Sequence, residues 1–227
     1  MTIAENIREL RNQIPHDIKI VAVSKTRTVE EIMEAYKAGH LVFGENKVQE
    51  LIYKQPLLPG EIEWHFIGHL QTNKVKQIIP FISLIHSLDS KKLLRVINKE
   101  ARLINRSIQC LLQFHIATEE TKYGLDFQEA EELIKSMHSE NLENVVLRGV
   151  MGMATFTDNE ELIRKEFQTL VNYFGLIKRS FFADDKRFTE LSFGMSGDYL
   201  LAVQEGSTMI RIGTLIFGDV PVRSALP

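Results

Sequence analysis

The residue in the first part of the chain that is best placed for chemistry is Lys25, which follows an apolar run. The stretch Ile18–Ser24 reads IKIVAVS, and Thr28-x-x-Glu31 then opens an amphipathic segment. This order predicts a buried strand, a short turn and a capped helix. Proteins of the α/β class place their chemistry at the carboxyl ends of such strands. Taken alone, however, a lysine at this position is more often a surface or snorkelling residue.

A second group of reactive residue types lies near the other end of the chain, in two adjacent strand–turn units. Ser196-Gly197-Asp198 stands between a predicted strand and a predicted helix, and Arg211-Ile212-Gly213-Thr214 belongs to the next unit. Free backbone N–H groups, small hydroxyls and glycines suit a phosphate group. A helix cap at Ser196 and a strand-end arginine would explain each unit by itself. The two units together favour an anion site.

Three further polar residues need a role. The stretch GENK repeats the strand-to-helix pattern, so Asn46 is either a helix cap or an amide directed at a ligand. His65 and His69 fall on a predicted strand and its turn, where their spacing of roughly 13 Å is too long for one metal ion. We therefore predict no metal site, and His65 is left as either a core residue or a residue of the site.

The hydrophobic pattern gives about eight strands that alternate with seven or eight helices. The predicted strands are 18–24, 41–46, 63–70, 84–88, 109–116, 146–153, 190–196 and 208–218, and Asp158 is expected to open the helix after the sixth. Strict alternation implies a parallel sheet with helices outside it. We predict one domain over residues 1–227, a closed (β/α)8 barrel entered through an extra N-terminal helix. A doubly wound open sheet is the alternative.

Composition excludes several classes of protein. The 227 residues are 44% hydrophobic and carry a net charge of −3. This charge does not indicate binding to nucleic acid or to an anionic membrane. No apolar run approaches the ~20 residues that span a bilayer, and the N-terminus lacks the features of a signal peptide. The lone Cys110 lies in an apolar run and is expected to be a small buried side chain. A cytoplasmic protein is therefore expected.

Glycine-rich nucleotide motifs and a hydrolase elbow are both missing. The sequence has no G-x-G-x-x-G after its first strand and no G-x-x-x-x-G-K-[ST], and GMSG around Ser196 is one residue short of G-x-S-x-G. What remains is a lysine on one strand and a phosphate site on two others. Pyridoxal 5′-phosphate (PLP) fits this pair, because its aldehyde forms a Schiff base with a lysine. A sugar-phosphate aldolase would use the same two parts.

The sequence also resembles a known family, the pyridoxal phosphate homeostasis proteins, which are similar to the N-terminal domain of bacterial alanine racemase. The resemblance runs nearly end to end and in the family's order. It rests on VAVSKT, FGENKVQE, WHFIGHLQTNK, IHSLDS, ETKYGL, GVMGM, LSFGMSGDY and EGSTMIRIGTLIFG. The stretch QFHI departs from the pattern, because it puts His115 where members often carry asparagine.

The resemblance implies a role for each candidate residue. Lys25 would carry PLP as a Schiff base, Asn46 would lie on the side of the ring that carries the phenolic oxygen, and Arg211 would meet the pyridine nitrogen. The residues implied for the phosphate are Ser196, Gly197, Gly213 and Thr214.

The resemblance also constrains the activity. Alanine racemases have a second, β-rich domain that contributes a catalytic tyrosine, and we expect no such domain in a chain that ends at Pro227. Two-base racemisation would then lack its second base, and an arginine at the ring nitrogen would weaken the ring as an electron sink. We therefore expect a monomeric, non-enzymatic protein that binds and delivers PLP and keeps amino-acid and keto-acid pools balanced. Apo forms of PLP-dependent enzymes are the expected recipients.

Two alternatives remain open. The first is a low-activity amino-acid racemase that uses Lys25 as its base. The second is a barrel that has lost its ligand and offers only a surface to a protein partner.

Overall fold

The computed structural model describes residues 1–118 and 123–219. The strands are β1 Lys19–Val23, β2 Val42–Glu45, β3 Glu63–Phe66, β4 Leu84–Leu88, β5 Ile108–Gln113, β6 Val145–Met151, β7 Glu190–Ser192 and β8 Met209–Ile212. The α-helices are α1 Ile3–Gln13, α2 Val29–Lys37, α3 Val48–Lys54, α4 Val75–Ile78, α5 Lys91–Leu103, α6 Phe127–Ser139, α7 Glu160–Phe181, α8 Tyr199–Gln204 and α9 Thr214–Phe217. Two short 3-10 helices, Gln55–Leu57 and Thr72–Lys74, complete the described secondary structure.

The eight strands form a closed parallel barrel in chain order. β1 closes the barrel by pairing with β8, in a register that runs from Lys19 opposite Met209 to Ala22 opposite Ile212. This is a (β/α)8, or TIM, barrel, so the prediction of a closed barrel is confirmed and the doubly wound alternative is wrong. The extra helix α1 precedes β1 and packs against α2 and α9, where Asn6 Nδ2 donates to the carbonyl of Ile216 at 2.8 Å.

Local sequence signals place the starts of several helices. Thr2, Thr28 and Asp126 each close a capping box, because the side chain of the cap accepts from the backbone N–H three residues on. The prediction for α7 is wrong by one residue. Asn159 rather than Asp158 is its cap, and the hydroxyl of Thr157 accepts from the N–H of Asn159 at 3.2 Å, so the chain turns before the helix begins.

Seven of the eight strands are shorter than predicted, and three of them, β3, β7 and β8, are shorter by four residues or more. β3 ends at Phe66 and β7 ends at Ser192, where Gly194 with a φ of +97° takes the chain out of the sheet. β8 ends at Ile212, and the apolar run after Gly213 forms the single turn α9 instead of more strand. A short apolar run fits either element, and the contact of α9 with α1 decides between them.

The core has two layers because side chains alternate across each strand. Most buried apolar side chains lie between the strands and the helices. A small second cluster, formed by residues of five strands, fills part of the barrel interior and consists of Val21, Leu84, Leu111, Met151 and Met209. Cys110 is buried in the outer layer, as predicted, and burial raises the pKa of its thiol. Among the described helices, none combines the length and apolarity that a bilayer crossing requires.

Candidate functional site

Lys25 stands on the turn that leaves β1 at the carboxyl end of the barrel, and its side chain is exposed. The backbone N–H of Ser24 still donates to the carbonyl of Gly44 in β2 at 3.0 Å, so the pairing of β1 and β2 reaches the residue before Lys25. Thr26 then adopts a φ of +64°, in the left-handed region that β-branched residues rarely occupy. The predicted strand, turn and helix are confirmed, and they put the lysine at the mouth of the barrel.

Strand pairing brings two other predicted residues close to this turn. Val23 lies opposite Gly44 in β2, so Asn46 leaves the sheet next to Lys25 on one side. On the other side, a Cβ built on Gly213 would lie 3.5 Å from Val23. Asn46 and Gly213 therefore flank the Lys25 turn, as expected for neighbouring strands of one barrel.

The two predicted phosphate units meet each other. The backbone N–H of Gly213 donates to Ser196 Oγ at 3.3 Å, which joins the turn after β7 to the turn after β8. Within residues 1–118 and 123–219, the backbone N–H groups of Ser196, Gly197 and Thr214 have no acceptor. These donors lie on adjoining turns, and such an array suits an anion with several oxygens.

The glycines in these turns are not required by the protein's own packing. A Cβ built on Gly197 would meet no atom within 4 Å, and one built on Gly213 would make only an ordinary contact. Gly213 has a φ of −112°, which any residue can adopt. The missing side chains therefore leave room beside the unused N–H groups, and a phosphate group fits this arrangement.

Both capping alternatives from the sequence are wrong. Asp198 is the cap residue of α8, and the Ser196 hydroxyl serves Gly213 instead. Lys47 is the cap residue of α3, and Asn46 Oδ1 is buried with no hydrogen-bond partner among the described residues. A buried amide oxygen with unused hydrogen-bonding capacity fits a residue that contacts a ligand.

Arg211 lies inside the barrel and is fixed by β6 and β7. Its Nη1 donates to the carbonyl and the hydroxyl of Ser192 at 2.9 and 2.8 Å, and its Nη2 donates to the carbonyl of Gly152 at 3.0 Å. These bonds use three of the five guanidinium N–H groups, so donors remain for a ligand atom. Burial lowers the pKa of Arg211 to about 10, and the side chain keeps its charge at neutral pH.

A line of hydrogen bonds extends from Arg211 across the barrel interior. Ser192 Oγ lies 3.1 Å from His86 Nδ1, and His86 Nε2 lies 3.0 Å from His65 Nδ1. Because Arg211 can only donate to Ser192 Oγ, the hydroxyl hydrogen is free to go to His86 Nδ1, and His86 Nε2–H then donates to His65. Burial lowers the pKa of His65 to about 3 and that of His86 well below its usual range, so both rings are neutral.

His65 is a buried residue of the barrel interior, and two hydrogen bonds connect it through His86 to Ser192, which holds Arg211. Sequence reasoning missed Ser192 and His86 as supports of Arg211. Their signal in the sequence was weak. Each lies at an inward position of a short strand, but its hydrogen-bond partner lies on another strand.

The remaining predicted polar residues take other places. His69 Nδ1 lies 3.0 Å from Asp89 Oδ2, and its ring stacks on Tyr123, with ring centroids 4.3 Å apart. No cluster of three or more metal-ligating side chains is present in the described parts of the chain. His115 follows β5, and its backbone N–H donates to Leu125 at 3.1 Å. Residues 119–122, which include part of the ETKYGL motif, lie outside the described residues.

Comparison with known proteins identifies the family. The family described as alanine racemase, N-terminal domain, matches residues 1–221, and the chain belongs to it. Its relatives narrow this assignment: the pyridoxal phosphate homeostasis protein of Pasteurella multocida is 36% identical and aligns over 96% of this chain and 97% of its own length. The chain is thus a member of the pyridoxal phosphate homeostasis proteins.

Solved structures agree with this assignment. PipY of Synechococcus elongatus PCC7942 is 36% identical and superposes with a TM-score of 0.87 without PLP and 0.84 with PLP bound, over 96% of this chain and 100% of its own. Alanine racemase from Bartonella henselae superposes with a TM-score of 0.69 at 16% identity, over 97% of this chain and 60% of its own. This second likeness concerns the fold alone.

Proposed function

We propose that this chain binds PLP as a Schiff base on Lys25 and serves in PLP homeostasis without classical enzyme activity. The observation that carries the proposal is the convergence of three features at one barrel mouth: an exposed lysine, a buried amide oxygen, and turns whose N–H groups, like that oxygen, have no partner among the described residues. The relatives that are named pyridoxal phosphate homeostasis proteins support the role, and the structure of PipY has been solved with PLP bound.

Each residue of this chain has a distinct task in the proposal. Lys25 supplies the amine, and Asn46 lies on the side of the ring that carries the phenolic oxygen. Arg211 donates to the pyridine nitrogen and leaves it unprotonated, because a guanidinium does not readily give up a proton. The residues proposed to hold the phosphate are Ser196, Gly197, Gly213 and Thr214. Bound PLP would supply an aldehyde and an electron-withdrawing ring, and Arg211 weakens the second property.

The finer points of the role belong to the same proposal. The protein acts as a cytoplasmic monomer that keeps a reactive aldehyde bound and passes it to apo forms of PLP-dependent enzymes. The word homeostasis in the names of the relatives supports this reading, as does the weak electron sink expected beside Arg211.

The test combines absorption spectroscopy with chemical trapping. Purified protein incubated with PLP should show a visible band that borohydride bleaches, and peptide mass mapping should then find a pyridoxyl group on Lys25. Lys25→Ala should lose the band and the adduct completely and still retain PLP through its phosphate. A wild-type protein that stays colourless and unlabelled would overturn the proposal.

The absence of racemase activity is tested separately. Alanine or serine is incubated with the PLP-loaded protein in deuterium oxide, with free PLP as the reference. We expect no more deuterium at Cα than free PLP gives. Exchange above that level that disappears in Lys25→Ala would replace the non-enzymatic reading by a racemase that uses Lys25 as its base.

A further inference from the structure

We propose that Glu50 and Lys54 of α3 are positioning residues for Lys25, and that together with Glu45 they fix the turn from which its amine reacts. This inference rests on the proposed function, because it concerns the residue proposed to hold PLP. None of the three contacts the barrel interior, since Glu45 lies on the outer side of β2, between the strand and α3.

The residue before Lys25 is held by buried side chains. Ser24 Oγ donates to Glu45 Oε1 at 2.7 Å, and Lys54 Nζ donates to the Ser24 carbonyl at 2.8 Å. Lys54 Nζ also donates to Glu45 Oε1 at 2.7 Å. Ser24 and Glu45 are both 0% exposed, and Lys54 is 4% exposed. The backbone and the side chain of Ser24 are therefore both tied to one ion pair.

The residue after Lys25 is held by the same network. The backbone N–H of Thr26 donates to Glu50 Oε2 at 2.7 Å, and that oxygen also accepts from Lys54 Nζ at 3.1 Å. Thr26 needs such support, because its φ of +64° is unfavourable for a β-branched residue and persists only where surrounding contacts impose it. Lys25 thus stands between two residues that a single ammonium group connects.

A purely stabilising role explains this network poorly. Burying charged groups costs several kcal/mol per ion, and an apolar pair of similar volume is often at least as stable. Burial raises the pKa of Glu45 against the opposing effects of Lys54 and Ser24, as expected for a carboxylate held away from water. Hydrogen bonds to a specific backbone carbonyl and N–H are what an apolar pair would lose.

The network should affect the covalent capture of PLP and not the anchoring of its phosphate. Covalent capture of an aldehyde requires the amine to approach along one direction, and a displacement of about 1 Å can slow such a step by about 100-fold. Anchoring of the phosphate depends on the turns after β7 and β8, which the network does not touch. Loosening the Lys25 turn should therefore slow capture and leave phosphate anchoring unchanged.

Glu50→Ala is the main test, with Gln49→Ala as the matched control. Glu50 is partly exposed, and Gln49 is an exposed neighbour on the same helix, so both variants should fold. The two readouts are the rate of borohydride-trapped adduct formation at Lys25 with PLP, and the affinity for pyridoxamine 5′-phosphate, which has a phosphate but no aldehyde. We expect capture by Glu50→Ala to slow by about tenfold or more, with analogue affinity within about twofold of wild type. Gln49→Ala should match wild type in both readouts.

Two further variants separate positioning from folding. Glu50→Gln keeps an oxygen that can accept from Thr26 and should restore most of the capture rate. Glu45→Leu combined with Lys54→Met replaces the ion pair by apolar side chains, and it should keep or raise the urea midpoint but still slow capture. Unchanged capture in Glu50→Ala, or capture and analogue affinity that fall together, would overturn the inference. A wild-type protein that forms no adduct would instead overturn the proposed function.

Discussion

The two sides of the barrel mouth hold the chain by different means. On the β1–β2 side, the turn that carries Lys25 is fixed by charged side chains buried between the sheet and α3. On the β7–β8 side, the turns are built from backbone N–H groups, glycines and the Ser196 hydroxyl. A covalent bond needs one direction of approach, whereas an anion needs many donors, and each side has the construction that its proposed task requires.

This difference makes the two sides separable by mutation. Changes on the β1–β2 side should alter covalent capture, and changes on the β7–β8 side should alter affinity. Ser196→Ala with Thr214→Ala, and Gly197→Ala, test this separation together with the variants of Glu50 and Lys54, whereas acid unfolding tests the barrel that carries both sides.

The largest effect is expected on the β7–β8 side. Ser196→Ala combined with Thr214→Ala should weaken PLP binding by about 1–3 kcal/mol for each lost hydrogen bond to the phosphate. The affinity is measured by fluorescence titration, and the double variant should still form the Lys25 adduct at saturating PLP. An unchanged affinity, or an adduct lost at saturation, would show that the two sides are not separable in this way.

An intermediate effect on the free energy of unfolding is expected from acid. It arises from buried histidines just before β2 and in β3. Burial lowers the pKa of His40 from 6.5 to about 4 and that of His65 to about 3. Below pH 6.5 the unfolded chain takes up protons that the folded chain does not. The stabilisation from the neutral histidines is therefore fully present above pH 6.5, and the free energy of unfolding falls as the pH drops toward 4. His40 alone should contribute a loss of roughly 3 kcal/mol.

Urea unfolding between about pH 7 and pH 4.5 measures this loss. Glu45 works in the opposite direction, because burial raises its pKa and protonation then favours the folded chain. His40→Gln removes one of the buried histidines and should flatten the pH dependence. A pH dependence that is the same in His40→Gln as in the wild type would contradict the assignment of a neutral buried His40.

The smallest effect is expected from Gly197→Ala in the absence of ligand. No atom lies within 4 Å of the added methyl group, so the free energy of unfolding should change by less than about 0.5 kcal/mol. PLP affinity should fall, because the methyl group would occupy space left for the phosphate. Gly206→Ala is the control: its φ of +93° should cost about 1 kcal/mol of stability, and PLP affinity should stay unchanged.

Those parts of the molecule that depend on short-range patterns could be predicted from the sequence. The alternation of strands and helices predicted the barrel. The apolar run before Lys25 and the capping box at Thr28 predicted the strand, turn and helix around the lysine. The resemblance of the motifs added the family, which the relatives confirm.

Features that depend on contacts between distant strands could not be predicted. The line from Arg211 through Ser192 to His86 joins side chains from three strands, and no spacing along the chain reveals it. Asn46 looked equally suited to capping and to binding, and what distinguishes them is a buried side-chain oxygen that has no hydrogen-bond partner within the described part of the chain. The boundary between β8 and α9 falls within an apolar run that fits either element, so packing rather than pattern sets it.

The buried position of Cys110 has a practical consequence for measuring PLP transfer. It is the only cysteine in the sequence, it is 0% exposed, and burial disfavours the thiolate that would react with a maleimide dye. A cysteine introduced at the exposed position of Leu103, in the last turn of α5, would thus be the one readily labelled thiol of the folded protein. A fluorophore at that position would mark this protein in a mixture with a PLP-dependent enzyme, without first removing a native cysteine.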